Sequence, residues 1–205
     1  MRLQNPLTAI SPSLDMGALY VLARADADFT APGICSLLPE PSSLAGVRKA
    51  LARLVDQGIV VEKVAGRTHI FRLNRHHLLA KAVEEMASAK DHLIERIRTE
   101  IELWEFAPIV VTIYGSAARN DMRNDSDIDL FIALPNDVNE LQAETRIATL
   151  AGEISAWTGN DTRPFVFLES EVAPSSIFES IIDEGDTLFG DGTWLRRVLR
   201  AGSGA

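Results

Sequence analysis

The stretch YGSAARNDMRNDSDIDL, Tyr114 to Leu130, decides how the second half of this 205-residue chain folds. It is entered from Ile109 to Tyr114, a continuous apolar run of the length of a buried strand. The run opens onto Gly115-Ser116, and a helix is expected to start near Ala117. A strand ending on Gly-Ser puts backbone N–H groups, a hydroxyl and a helix N-terminus at one point, a seat for phosphate oxygens. Asp127 and Asp129 stand two apart in the next strand, Asp127 to Leu134, so both side chains leave by one face. Two carboxylates that close repel unless a cation sits between them. Mg2+, an oxygen-seeking ion that shares its shell with substrate phosphates, suits that place. A phosphate seat beside a metal-binding carboxylate pair points to phosphoryl or nucleotidyl transfer.

Downstream, Glu140 to Thr158 reads as a helix with Leu141, Ile147, Leu150 and Ile154 on its inner face. Arg163 to Leu168 is a third strand, and Ser175 to Glu184 and Trp194 to Leu199 are closing helices. Strands alternating with helices mark an α/β domain over 107–201, ahead of a small Gly/Ser/Ala tail at 202–205.

The pattern Gly-Ser-x-Ala-Arg-x-Asp-x4-Ser-Asp-Ile-Asp-Leu resembles the minimal nucleotidyltransferases of the DNA polymerase β-like superfamily. The match is dense over 109–134 and extends through Ile177 to Gly190, which resembles that family's closing helix. The resemblance implies an α/β (α+β) domain, a small mixed sheet flanked by helices. It also implies that Gly115 and Ser116 hold the triphosphate of an NTP and that Asp127 and Asp129 bind two Mg2+ ions. Arg119 would neutralise phosphate charge, and Ser126 would orient the loop at the edge of the nucleotide site. Two departures stand out. Asn120 replaces a glycine, and the strand Arg163 to Leu168 lacks the third carboxylate usual in the superfamily. Asp161 precedes that strand, and Glu169 and Glu171 follow it.

The first half is built differently. After a tail at 1–12, residues 14–25 form an apolar helical stripe, and a second helix near Pro32 to Leu38 ends at Pro39-Glu40-Pro41. Ser42-Ser43 offers an N-cap to a helix over 44–57, with Val47, Leu51 and Leu54 on its buried face. Two β-like runs, 59–64 and 68–73, flank the turn Ala65-Gly66-Arg67. Three helices followed by a hairpin resemble a winged helix-turn-helix over 13–75. That resemblance makes 44–57 the recognition helix and implies double-stranded DNA as partner, contacted by Ser43, Arg48, Lys49, Lys63 and Arg67. Charge agrees: residues 42–81 hold eight Lys+Arg against two acids, whereas 106–205 hold seven against sixteen and carry the whole net charge of −9. A local basic patch attracts a polyanion even on an acidic protein, because screening discounts the distant charges.

Between these domains, 76–106 reads as one long connecting helix, its stripe running from Leu79 and Val83 through Leu93 and Ile97 to Trp104. So long a stripe suits packing on the second domain or a homodimer. The single Cys35 excludes an intrachain disulfide framework, and the apolar runs are too short for a membrane span, so a cytoplasmic protein is expected. The leading expectation is a Mg2+-dependent enzyme that moves an NMP from an NTP to an acceptor, in a chain that also binds DNA. Two others fit the same residues. One is a transcriptional regulator whose second domain holds nucleotide without turnover. The other is an antitoxin-like role, since minimal nucleotidyltransferases often act beside a small helical protein partner.

Overall fold

A computed structural model describes residues 1–202, so the end of the Gly/Ser/Ala tail lies outside the described residues. The chain divides into two compact units, one over Arg2–Lys90 and one from Asp91 onward together with Met1.

The first unit opens with helix α1 (Leu14–Ala23), and strand β1 (Phe29–Thr30) then leads into helix α2 (Ala31–Leu37). Helix α3 (Leu44–Asp56) and a hairpin of β2 (Val60–Ala65) and β3 (Thr68–Leu73) follow. Each helix starts where a hydroxyl takes an orphan N–H. Ser13 accepts from Met16, Thr30 from Gly33 and Ser43 from Gly46. The strands form an antiparallel sheet in the order β1-β3-β2, and Ala65 pairs with Thr68 across Gly66, whose φ of 64° serves the tight turn. Val47, Leu51 and Leu54 of α3 are buried as their spacing predicts, among Leu22, Ile34, Phe71 and Leu73. The first twelve residues are no loose tail. Pro6–Ala9 forms a 3-10 turn, and Leu3 and Leu7 are fully buried.

The single helix expected over 76–106 is two, α4 (Ala80–Ala87) and α5 (Ala89–Glu102). The chain leaves helical geometry at Ser88, a residue type that favours helix ends, with φ −92° and ψ 11°. Residues 74–79 are turns fixed by Asn74, whose amide donates to the Gly58 carbonyl at 2.8 Å. Val83, Leu93, Ile97 and Ile101 are buried in the chain, so most of the stripe that suggested a homodimer is already covered.

The second unit continues with β4 (Val110–Tyr114), α6 (Gly115–Arg119), β5 (Ile128–Leu134), α7 (Glu140–Thr158) and β6 (Thr162–Leu168). It ends with α8 (Ser176–Glu184), β7 (Asp186–Gly190) and α9 (Trp194–Gly202). The sheet is mixed, in the order β6-β5-β4-β7. Strand β4 is antiparallel to β5 and β7, and β5 is parallel to β6 through the crossover helix α7. Asn139 caps α7 and Gly159, at φ 72°, ends it. Ile147, Leu150 and Ile154 face inward as expected, but Leu141 in the first turn is exposed.

Alternation along β5 divides its side chains between two faces. Phe131 and Ala133 share one face and one apolar cluster with Phe178 and Ile181 of α8 and Trp194 of α9. Asp129 has the same parity, so it emerges on the α8 face at the end of that cluster. The segment Asp186–Gly190, expected to extend a closing helix, is instead the edge strand β7. Helix α8 stops at Gly185, where a β-carbon would collide with the Ile181 carbonyl and the Thr112 methyl, and the chain then pairs with β4.

Candidate active site

The antiparallel register of β4 and β5 sets Tyr114 opposite Asp129, which brings the Gly115 end of one strand to the carboxylate end of the other. Gly115 has φ 67°, and a β-carbon on it would stand 2.7 Å from Asp129 Oδ2. Glycine is required there twice over, for its backbone and for the space. The short helix α6 that follows closes on Asn120, which takes the left-handed conformation (φ 60°, ψ 35°) and donates its N–H to the Ser116 carbonyl. Asparagine thus serves where the resemblance expects glycine.

Asp127 immediately precedes β5 and Asp129 lies within it. Burial first, and the neighbouring Asp127 charge second, hold the Asp129 carboxyl above the ordinary carboxylate value. Burial and the same Asp129 charge also push the Tyr114 phenol up. Negative charge is therefore concentrated at this point, and two hard oxygen donors fit a divalent cation.

Part of that charge is met by a residue that sequence reading passed over. In the parallel register of β5 and β6, Arg163 lies beside Asp129, and its Nη1 is 2.7 Å from Asp127 Oδ2. Its Nε is 3.6 Å from Asp161. The only signal in the sequence was that the strand meant to supply an acid begins with a cation.

The flanking acids separate. Glu169 and Glu171 follow Leu168, which pairs with Leu134, whereas Thr162 pairs with Ile128. At 3.3 Å per residue they stand about 20 Å along the strand from the aspartates. Glu171 is engaged locally, accepting the Leu168 N–H at 2.8 Å. Only Asp161 stays at this end of the sheet, with its carboxylate exposed toward Arg163. Among the described residues no three His, Cys, Asp or Glu side chains gather as a metal cage.

The loop before the aspartates is pinned. Ser126 Oγ accepts the Arg123 N–H at 2.8 Å, and buried Asn160 donates its amide to the Ser126 carbonyl at 2.8 Å. Ser126 thus shapes the loop. Arg119 bonds Glu184 at 2.6 Å and Asp121 at 3.2 Å, so its charge is largely answered inside the domain while still favouring ionised Asp129.

In the first unit, Ser43, Arg48, Lys49, Lys63 and Arg67 are all exposed. The Ser43 hydroxyl is occupied as the cap of α3. Of the eight basic residues in 42–81, Arg53, Arg72, Arg75 and Lys81 form ion pairs with Asp15, Asp28, Glu84 and Glu85. Arg48, Lys49, Lys63 and Arg67 form none among the described residues. Arg48 and Arg67 border a cavity of about 540 Å3 that also involves Thr30, Thr68, His69 and Phe71. A second cavity of similar size, between α7 and β6, is lined by Ile147, Pro164 and Phe167, away from the aspartates. No helix among the described residues is long and apolar enough to cross a membrane.

No curated protein matches the chain. Solved structures resemble it distantly. A crystal structure of a mutant MntA–HpeT toxin–antitoxin aligns at TM-score 0.42 and 11% identity, over 54% of this chain and 84% of that one. A toxin–antitoxin with AMP-PNP aligns at 0.39 and 12%, over 56% and 84%. A tri-AMPylated Shewanella oneidensis HEPN toxin in complex with MNT antitoxin aligns at 0.39 and 11%, over 56% and 83%. At such scores and identities none of these bears on activity or partner here. Residues 89–192 match the polymerase beta nucleotidyltransferase family, a span that contains Gly115, Ser116, Asp127, Asp129 and Arg163. By that match, which takes in just over half of its length, the chain belongs to the polymerase beta nucleotidyltransferase family.

Proposed function

We propose that this chain is a Mg2+-dependent nucleotidyltransferase that moves an NMP from an NTP to an acceptor hydroxyl. The observation that carries the reading is the approach of the Gly115 α-carbon to the Asp129 carboxylate, which joins the phosphate seat to the carboxylate pair. Backbone N–H groups at Gly115-Ser116 and the Ser116 hydroxyl take phosphate oxygens, and Asp127 with Asp129 holds the divalent ion. That ion, when bound, supplies Lewis-acid charge at the α-phosphate. The acceptor oxygen forms its bond to the α-phosphorus as the bond to the β-phosphate bridging oxygen breaks. Pyrophosphate leaves with the electron pair, and the acceptor proton passes to water at this open surface. The test is pyrophosphate release from labelled NTP with Mg2+, which Asp127→Asn and Asp129→Asn should abolish. Turnover unchanged in both variants sinks the reading.

We further propose that the first unit is a winged helix that binds double-stranded DNA. Its support is the division among its basic residues, since four are answered by carboxylates and four are left facing solvent on α3 and the hairpin. The cavity between Arg48 and Arg67 provides a concave place for a phosphate ridge, with the Thr30 and Thr68 hydroxyls beside it and the Glu62 carboxylate on its wall engaged by His69 at 2.5 Å. If nucleotide binds without turnover, this activity makes the protein a regulator. Steeply salt-dependent duplex binding that survives Asp127→Asn would establish that second reading.

A further inference from the structure

We infer that Arg163 takes the place of one of the two cations expected here, so that the site binds a single divalent ion and the guanidinium grips the nucleotide's phosphates. The inference rests on the nucleotidyl-transfer reading and concerns how its charge is balanced. Three observations carry it. Arg163 is fixed by register: β5 and β6 pair in parallel from Ile128↔Thr162 to Leu134↔Leu168, which puts it beside Asp129 on the α8 face. Its guanidinium is already on the ligand set, with Nη1 2.7 Å from Asp127 Oδ2. Its side chain is 63% exposed against 25% for Asp127, so the guanidinium stays open to solvent while flanked by Asp127 and, at 3.6 Å from Nε, by Asp161.

The donor set is small: among the described residues no third carboxylate joins Asp127 and Asp129, and the position of β6 beside Asp129 holds a cation instead of an acid. The guanidinium also matches phosphate chemistry, since its planar fork bonds two oxygens at once. In the absence of nucleotide it competes with the metal for Asp127. When metal and nucleotide enter together, Arg163 exchanges the carboxylate for phosphate oxygens. It is thus a binding residue that links occupancy of the two ligands.

The test counts ions and affinities instead of turnover, with Mn2+ as the paramagnetic probe and a non-hydrolysable NTP analogue. With the analogue bound, wild-type protein should hold one Mn2+ per chain. Without nucleotide, Arg163→Ala should bind Mn2+ about tenfold more tightly, because a neighbouring unit charge at this distance is worth about that factor. At saturating Mn2+ the same variant should bind the analogue about tenfold more weakly, and Arg163→Lys should recover part of that loss. Two Mn2+ ions in the wild type, or both affinities unchanged in Arg163→Ala, would overturn the inference while leaving nucleotidyl transfer intact. Failure of the wild type to bind either probe would overturn both. Matching thermal midpoints for the three proteins exclude misfolding as the cause.

Discussion

Gly115 and Asp129 are in contact in the strictest steric sense, since a β-carbon on the first would stand 2.7 Å from a carboxylate oxygen of the second. Gly115→Ala therefore combines a left-handed backbone, costing an L-residue about 1–2 kcal/mol, with displacement of the carboxylate. Chemical denaturation should show a loss of about 2 kcal/mol. Pyrophosphate release should fall on the order of a hundredfold if the displaced carboxylate holds the ion as proposed. Stability and activity both within experimental error of wild type would mean the Gly115 turn is not what seats the phosphates.

Asp129→Asn should separate stability from function. Burial and the Asp127 charge make ionised Asp129 a cost to the fold, so a neutral isostere relieves it. We expect a thermal midpoint above wild type at neutral pH, together with loss of turnover. A lowered midpoint would show that Arg163 and Arg119 more than compensate the buried charge.

How much of this was legible in the chain depends on the range of the cause. Helix α3 was readable because its cap, Ser43, and its buried period, Val47, Leu51 and Leu54, all lie within a few turns. Helix α7 was readable to both ends because Asn139 and Gly159 mark them locally. Strand β7 was not, because Asp186–Gly190 has only five residues and is a strand by virtue of pairing with β4. The aspartate pair was legible from a spacing of two. The place of Arg163 beside it depends on the register of two strands joined through α7, which no local pattern states. The same register explains why Glu169 and Glu171, close to the strand in sequence, are far from the site.

Asp191 allows a pH test that does not involve the aspartate pair. One of its oxygens accepts the Thr193 N–H at 2.8 Å and the Thr193 hydroxyl at 2.7 Å, and the other meets Arg197 at 3.1 Å, all ahead of or within α9. The Thr193 bonds first, and Arg197 after them, hold its carboxyl below the ordinary value of 3.8. A depressed folded pKa means stability that is fully present above the unfolded value and lost as pH falls through the folded one. Wild type should therefore melt above Asp191→Asn at neutral pH, and the gap should close only below the ordinary value of 3.8. A gap that stays constant into acid would assign the effect to hydrogen-bond geometry instead of charge.

The unpaired cations of the first unit give the last prediction. Arg48, Lys49, Lys63 and Arg67 have no carboxylate partner among the described residues, so each is free to neutralise a phosphate. Arg53, 2.6 Å from Asp15, is not free in that sense, although it lies on the same helix. Replacing Arg48 or Lys49 by alanine should weaken duplex binding and reduce the slope of log affinity against log salt by about 0.9 for each phosphate no longer neutralised. Arg53→Ala should leave that slope unchanged and lower stability only slightly, since an exposed ion pair is screened by solvent. Fluorescence anisotropy over a salt series, with the same duplex for all variants, distinguishes the two kinds of arginine. If Arg53→Ala reduces the slope as much as Arg48→Ala, ion pairing within the unit does not decide which cations reach DNA. If none of the variants changes it, α3 is not the surface that meets the duplex.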